Sequence, residues 1–588
     1  MTAYQAPVKD MLFAMRELAG LEYIASLPDF EDASPDLVES ILHEAARFGR
    51  EVLDPLNQSG DQQGARLTED GVVTADGFAD AYGRFVAAGW NGVAGAPEFG
   101  GMGLPKLVDT ATHEIWNGAN MSFALCPILT ASAVTLLARH GSDELKDVYL
   151  EKMVTGEWNG AMDLTEPQAG SDLAAVRSRA EPDGDDGYRV FGEKIFITWG
   201  ENDAAQNTIH LVLARLPDAP VGVGGISLFL VPRYLPEADG SLGAHNDARC
   251  TSLEHKLGIH ASPTCVMVYG ENEGARGWLV GEPNRGLACM FTMMNAARHK
   301  IGVQGVGIAE RALQQARAFA AERVQGKSGA AEQGAPINHH PDVRRMLLLM
   351  RSQTEAMRAL CLVTAAAMDE SVHGDDRDAR ERAQARLELL TPVVKGWCTE
   401  QAQEITSLGV QVHGGMGYIE ETGAAQYLRD ARILPIYEGT NGIQANDLIG
   451  RKLLRDQGAA MSALLADMDD SCGELGEDLR TPLAEAVGLL RKATDTLVER
   501  GAADAASALA NAFDYMMLTG YVTGGWLMAR AADRARQALE QGGDAGFLQA
   551  RQASARFYLH QVLPRALGYE RNIANGDQAL EAIRGGDI

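Results

Sequence analysis

Basic residues are scarce in this 588-residue chain: Lys and Arg total 52 against 80 Asp and Glu, giving a formal charge of -28 and a pI near 4.9. So anionic a surface repels a phosphate backbone and an acidic membrane leaflet, which argues against a nucleic-acid partner. Cysteine is sparse as well. The seven residues, Cys126, Cys250, Cys265, Cys289, Cys361, Cys398 and Cys472, are scattered, odd in number and never spaced as CxxC. They read as reduced, mostly buried thiols, with Cys265 and Cys289 as core fillers and not nucleophiles. No run approaches the ~18 consecutive apolar residues of a membrane span. The N-terminal MTAYQAPVKDMLFAMREL mixes acids with its apolar residues, unlike a basic-then-apolar leader. A cytoplasmic protein without stable membrane insertion is expected.

Several cofactor signatures are missing too. No GxGxxG follows a strand, which disfavours a nicotinamide-binding unit, and VQGKSG is not a P-loop because Ala321 stands where the first glycine belongs. His339 and His340 are adjacent and so point in different directions; with no other ligand spacing in the chain, no metal is expected.

What is present is an ordinary globular composition, 46% hydrophobic and 22% charged, in a chain longer than one core supports. Apolar residues recur at helical spacing from about residue 35 to 155, with Ser34 and Pro35 as a helix start. From about 160 to 280 the runs YRVFGEKIFIT, TIHLVLARL and GISLFLVPR predict strands. Helical periodicity returns from Gly286; residues 326–338, GKSGAAEQGAPIN, read as a flexible loop or insertion. Beyond about residue 456 the chain is Ala-rich and helical, with Thr481 and Pro482 starting a run that places Leu483, Val487, Leu490 and Leu497 on one face. The order helix, sheet, helix, extra helices predicts an α+β multi-domain fold divided as 1–159, 160–282, 283–455 and 456–588.

Two stretches bring backbone close to something. MDLTEPQAGSDL, residues 162–173, joins hydroxyls to a small-residue turn whose N–H groups suit an anion, although a plain turn uses the same residues. QVHGGMGY, residues 411–418, adds closely spaced glycines beside Gln411. In PIYEGTNGIQ, residues 435–444, Glu438 sits between apolar residues and a Gly-Thr turn. That setting desolvates a carboxylate and raises its pKa toward neutrality, as a general base requires; an exposed loop glutamate is the bland alternative.

Taken in order over residues 80–455, MDLTEPQAGSDL, KIFITWG, KLGIHASPT, QVHGGMGY and YEGTNGIQ resemble the acyl-CoA dehydrogenase family. The resemblance implies an N-terminal helical domain, a central β-barrel-like domain and a four-helix bundle, with FAD as cofactor. It further implies that Thr165, Gly170 and Ser171 hold flavin and pyrophosphate, that Thr198 bonds the flavin edge, and that Phe196 packs beside the ring. Arg323, Gln325, Gln411, Gly414 and Gly415 match positions reaching a neighbouring subunit's FAD, and Thr440 and Asn441 positions on the same chain's cofactor. Glu438 matches the catalytic base, while Ser171, Asn295, Arg298 and Gly439 match substrate-side positions. The family's other base position precedes the active-site arginine and is Ala297 here.

Phe196, Trp199 and Pro341 depart from the residues common at their positions. The N-terminal segment and the added C-terminal domain resemble a long bacterial subgroup whose members act on 3-methylthiopropionyl-CoA or on fatty acyl-CoAs. That likeness implies an acyl-CoA substrate, an electron-transfer flavoprotein as oxidant and a homodimer. An oxygen-using acyl-CoA oxidase and a DNA-associated homologue are the rivals. Met290, Phe291, Met293 and Met294 either close the acyl tunnel or fill the core, the latter being favoured.

Overall fold

The computed structural model describes residues 3–184, 187–327 and 334–576, and the chain divides into two compact units. One comprises Arg47–Leu104 and Ala119–Ala297; the other comprises Met1–Ala46, Pro105–Gly118 and Arg298–Ile588.

The runs marked by Val, Ile and Phe in the first unit are strands, at Gly187–Thr198, Asn207–Arg215 and Ile226–Pro232. Across the sheet the order is Ala248–Leu253, Thr264–Tyr269, Gly187–Thr198, Ala275–Leu279, Ile226–Pro232, Asn207–Arg215 and Trp158–Asp163. Arg179–Asp183 pairs along Gly187–Thr198 and also bridges to Asn207–Arg215. The sheet is thereby closed into a barrel-like ring. Alternate residues of a strand face opposite sides, and here both sides are covered. Ile209, Leu211 and Leu213 join one core cluster with Leu129, Ala133, Leu136, Met290 and Met293 from helices. Val212 and Ala214 join the other with Val190, Phe229 and Val231. This is why these strands read as unbroken apolar runs. Met290 and Met293 are thus core residues, with Met294 packed against the same cluster.

Helix Met121–His140, capped by Asn120 accepting from the Phe123 N–H, has a mean hydropathy of 1.9 over its most apolar stretch, enough to cross a membrane. Yet 78% of that stretch is buried within the protein. Its apolarity is spent on the barrel, consistent with the polar residues, such as Ser122 and Thr130, that interrupt the run.

The second unit is helical. The helix Gly286–Glu322 enters it at Arg298; Pro341–His373 and Arg377–His413 pack along each other, and Ala512–Glu540 packs on both. Close approach at that last contact requires glycine: a Cβ on Gly520 would lie 2.2 Å from Trp397 Cγ. A charge cluster is buried in the same unit, with Arg358 Nη2 donating to Glu114 Oε1 at 2.6 Å and to Glu310 Oε2 at 2.7 Å. Such groups tolerate burial only while paired.

Two sequence expectations need correction. The helix containing Leu483, Val487, Leu490 and Leu497 runs Glu477–Ala503, so it starts ahead of Thr481, and Pro482 lies inside it. Pro482 is near enough to the N-terminus that the bond it cannot donate is one of the first in the ladder. The other concerns residues 326–338, whose C-terminal end is bonded back to the residues that precede the stretch. Val324 and Pro336 form an antiparallel bridge, Gln325 N–H donates to Ala335 O and Ile337 N–H to Arg323 O. Residues 328–333 of that stretch lie outside the described residues.

Candidate active site

Glu438 follows the short helix Ala424–Ala431 and a series of turns, and precedes the helix Asn441–Asp447, which Thr440 caps by accepting from the Ile443 N–H. Both Glu438 and Gly439 have left-handed backbones, φ +54° and +83°. For a glutamate that conformation carries strain, which the surroundings must hold in place. They do so through its carbonyl, which accepts from Arg298 Nε and from Gln444 Nε2, each at 3.4 Å. A Cβ at 439 would meet Gln444 Nε2 at 2.8 Å and Arg298 Nη2 at 3.3 Å, so glycine is needed there. Tyr437 is fixed by its hydroxyl donating to Gln304 Oε1 at 2.5 Å, and Gln304 donates on to Asn117.

The side chain of Glu438 is held differently. Among the described residues no donor reaches its carboxylate, and its N–H reaches no acceptor. Burial pushes the carboxyl up to about 7, against the opposing pull of Arg298 and then Lys395. A base poised near neutrality with unsatisfied lone pairs is equipped to take a proton. Lys395, which the sequence reading passed over, is fully buried in helix Arg377–His413. Its ammonium donates to Asn441 Oδ1 at 2.8 Å, while the Asn441 amide nitrogen bonds Glu400 Oε1 at 2.7 Å and Thr399 Oγ1 at 2.9 Å. The polar atoms of the Asn441 side chain are therefore engaged inside the chain.

In the barrel unit the loop 164–178 is organised around Glu166. One carboxylate oxygen accepts from Lys194 Nζ at 2.8 Å, Ser178 Oγ at 2.6 Å and Ser178 N–H at 3.0 Å; the other accepts from the Arg177 N–H at 2.8 Å. Thr165, Gly170 and Ser171 are thereby presented on a fixed frame, and a Cβ on Gly170 would meet nothing within 4 Å. Burial alone raises the Glu166 carboxyl, but Lys194 and these hydrogen bonds outweigh it and hold it at about 2. Because this folded pKa is depressed, the stability it contributes is present above about pH 4.5 and is lost as pH falls toward 2. Glu166→Gln is accordingly expected to lower Tm clearly at pH 7, with the deficit shrinking near pH 3; thermal melts of both proteins at both pH values check this.

Strand Gly187–Thr198 carries a register break opposite Cys265 and Met267, and at this bulge Phe196 adopts φ +62°. The bulge turns Phe196 out of the ladder and leaves it 58% exposed. Beside it, the hydroxyls of Thr165 and Thr198 bond no described residue. Trp199, by contrast, is buried, its ring N–H donating to Ser122 O at 3.2 Å. Asn295 is exposed on its helix.

In the helical unit Arg323 and Gln325 are exposed and linked by a long 3.5 Å contact. Gln411 is exposed at the end of its helix, and a Cβ on Gly414 or Gly415 would meet nothing within 4 Å.

Family models match most of the chain in order: the acyl-CoA dehydrogenase N-terminal domain over residues 37–157, the middle domain over 161–271, the C-terminal domain over 284–454, and an acetyl-CoA dehydrogenase C-terminal-like domain over 459–584. The 3-methylmercaptopropionyl-CoA dehydrogenase of Ruegeria pomeroyi is 48% identical over 98% of this chain and 99% of that protein. The chain belongs to the acyl-CoA dehydrogenase family. As an acyl-CoA dehydrogenase it shares its fold with the Bacillus anthracis acyl-CoA dehydrogenase complexed with FAD, at a TM-score of 0.74 and 22% identity over 98% of this chain and 92% of that one. A chain in the structure named for the electron transferring flavoprotein of Acidaminococcus fermentans matches 71% of this chain and 98% of its own at 27% identity and a TM-score of 0.58.

The acyl-CoA dehydrogenase is FAD-dependent. Its residues fit that cofactor: an outward-turned aromatic for a flat ring, free hydroxyls on the same unit, and glycines that leave room for a close-lying ligand.

Proposed function

We propose that this enzyme dehydrogenates 3-methylthiopropionyl-CoA to methylthioacryloyl-CoA, with Glu438 as the base. The observation that carries the chemistry is the Glu438 carboxyl, free of hydrogen-bond donors and poised at about 7. The substrate assignment is supported by the 48% identity, over nearly the full chain, to the Ruegeria pomeroyi enzyme.

The α-carbon of a saturated thioester is weakly acidic, so its proton leaves only to a desolvated base while charge on the thioester oxygen is stabilised. Glu438 supplies both parts. Its carboxylate takes the α-proton, and its unengaged N–H donates to the thioester oxygen. The electron pair left at Cα forms the new double bond as the β-hydrogen departs with its own pair. FAD, when bound, accepts that hydride. Arg298, bonded to the Glu438 carbonyl, and Gly439 keep the base and its N–H in their strained conformation. Ser171 and Asn295 are proposed on the substrate side.

For FAD, Thr165, Gly170, Ser171, Phe196 and Thr198 are proposed contacts from the barrel, with Thr440 from the turn after Glu438. Arg323, Gln325, Gln411, Gly414 and Gly415 are proposed to reach the FAD of a second subunit, which makes the working form a homodimer. Division of the chain at 159, 282 and 455, a cytoplasmic location and electron delivery to an electron-transfer flavoprotein complete the reading.

Steady-state kinetics with a panel of acyl-CoAs is the test. 3-Methylthiopropionyl-CoA is expected to exceed octanoyl-CoA by at least about tenfold in kcat/KM. Preference for octanoyl-CoA or longer chains would sink the thioether assignment and leave a fatty acyl-CoA enzyme.

A further inference from the structure

The catalytic turn lies over a buried cation that the reaction as described does not use. Lys395 has no exposed surface, and helix Arg377–His413 brings it against the residues that follow Glu438. An isolated ammonium at such depth is costly, so a lysine persists there only where negative charge or strong acceptors compensate it. The acceptor is Asn441 Oδ1, at 2.8 Å. Asn441 cannot turn away, because its amide nitrogen is tied to Glu400 Oε1, Thr399 Oγ1 and Gly396 O. Its backbone N–H is fixed as well, donating to Pro435 O at 2.9 Å across the base of the turn. A chain of hydrogen bonds thus runs from Lys395 to the residue three beyond Glu438 and back to the residue three before it.

We propose that Lys395 is a positioning residue of the dehydrogenation: its buried ammonium pins the Glu438 turn to helix Arg377–His413 through Asn441 and, beside Arg298, adds positive charge that favours the carboxylate form of the base. The inference rests on Glu438 being that base.

The groups facing Glu438 leave this task to few candidates. Arg298 is also cationic and near, but its guanidinium is shared with the Glu438 carbonyl and faces Asp447 at 3.9 Å, and Arg451 pairs with Asp447 too. Tyr437 is committed to Gln304, and Glu400, which accepts from the Asn441 amide nitrogen and also acts on Lys395, is an anion and supplies no positive charge. The electrostatics agree in both directions. Burial pushes Lys395 down to about 7 against the pull of Glu438, just as burial pushes Glu438 up to about 7 against Arg298 and Lys395. Base and lysine therefore each favour the charged form of the other.

Lys395→Gln is the test, since an amide retains a donor for Asn441 and removes the charge. Anaerobic flavin reduction by saturating acyl-CoA is followed across pH in the FAD-loaded protein, with flavin content and Tm measured alongside. Without the cation the carboxyl ionises less readily, so the acid limb of the profile is expected to move up by about one pH unit. The rate should fall about tenfold at neutral pH and recover to near the wild-type rate in the alkaline range. A loss equal at every pH, or an unchanged profile, overturns the proposal. Glu438→Gln is run beside it. If that variant still reduces flavin at the wild-type rate, the base assignment itself fails; if it is inactive while Lys395→Gln keeps the wild-type profile, only the role of Lys395 fails. Should Lys395→Gln not retain FAD, infrared titration of the wild-type holoenzyme, differenced against Glu438→Gln, decides. Ionisation of the Glu438 carboxyl near neutrality together with a second group supports the coupling, and a single ionisation in the ordinary carboxylate range overturns it.

Discussion

Glu438→Gln is expected to slow flavin reduction by about 10² to 10⁴, the range that general-base catalysis supplies, while FAD and acyl-CoA still bind. Glutamine keeps the size of the side chain and the N–H that donates to the thioester oxygen; only basicity is lost. Local structure should survive, because the turn is held through the Glu438 carbonyl, Gly439 and Asn441 and not through the carboxylate, which accepts no hydrogen bond from the described residues. Single-turnover stopped-flow at saturating substrate isolates the step. The family's other base position, the residue before Arg298, is the buried Ala297 and offers no carboxylate.

The other large effect concerns the C-terminal helices. Ending the chain at residue 456 removes Ala512–Glu540, whose Gly520 and Met516 lie against Trp397 and Gly396. Trp397 is completely buried, and uncovering one side of such a residue forfeits several kcal/mol, about 3 to 5 by analogy with truncation of buried aromatics. The cut also strips Arg565 from Glu404, which it contacts at 2.7 and 2.8 Å, and Arg551 from the buried Glu355. Losses of this size approach the whole net stability of a marginally stable fold. The truncated protein is expected in the aggregated fraction, with soluble yield and flavin content as readouts; a soluble, flavin-loaded and active product would show that these helices are dispensable.

How far the sequence reached depends on how local each feature is. The barrel strands were legible because burial on both faces makes them continuous apolar runs, and Glu438 was legible because its unusual company lies within a few residues. Lys395 was not. It sits 43 positions before Glu438 in a helix of apolar neighbours, and nothing in LLTPVVKGWCTE distinguishes a solvated lysine from one buried beneath a turn. Glu166 was overlooked for the opposite reason: it lies within a motif read for its hydroxyls and glycine, while its partners Lys194 and Ser178 come from elsewhere in the chain. Phe196 shows a third case. Its identity was noted as a departure, but its outward turn depends on a bulge defined by Cys265 and Met267 on the neighbouring strand. Pro482 was misplaced because proline favours a first turn only on average, and here the helix gains an earlier start at Glu477.

Proton removal by Glu438 is the centre of this account, and exchange at the α-carbon measures it without relying on hydride transfer. The FAD-loaded enzyme is incubated in D₂O with an acyl-CoA blocked at the β-carbon, and deuterium entering the α-position is followed by mass spectrometry. The prediction is steady incorporation by the wild-type enzyme and, under the same conditions, a loss of at least about a hundredfold in Glu438→Gln. Equal incorporation by the two proteins would contradict the assignment of Glu438 as the base.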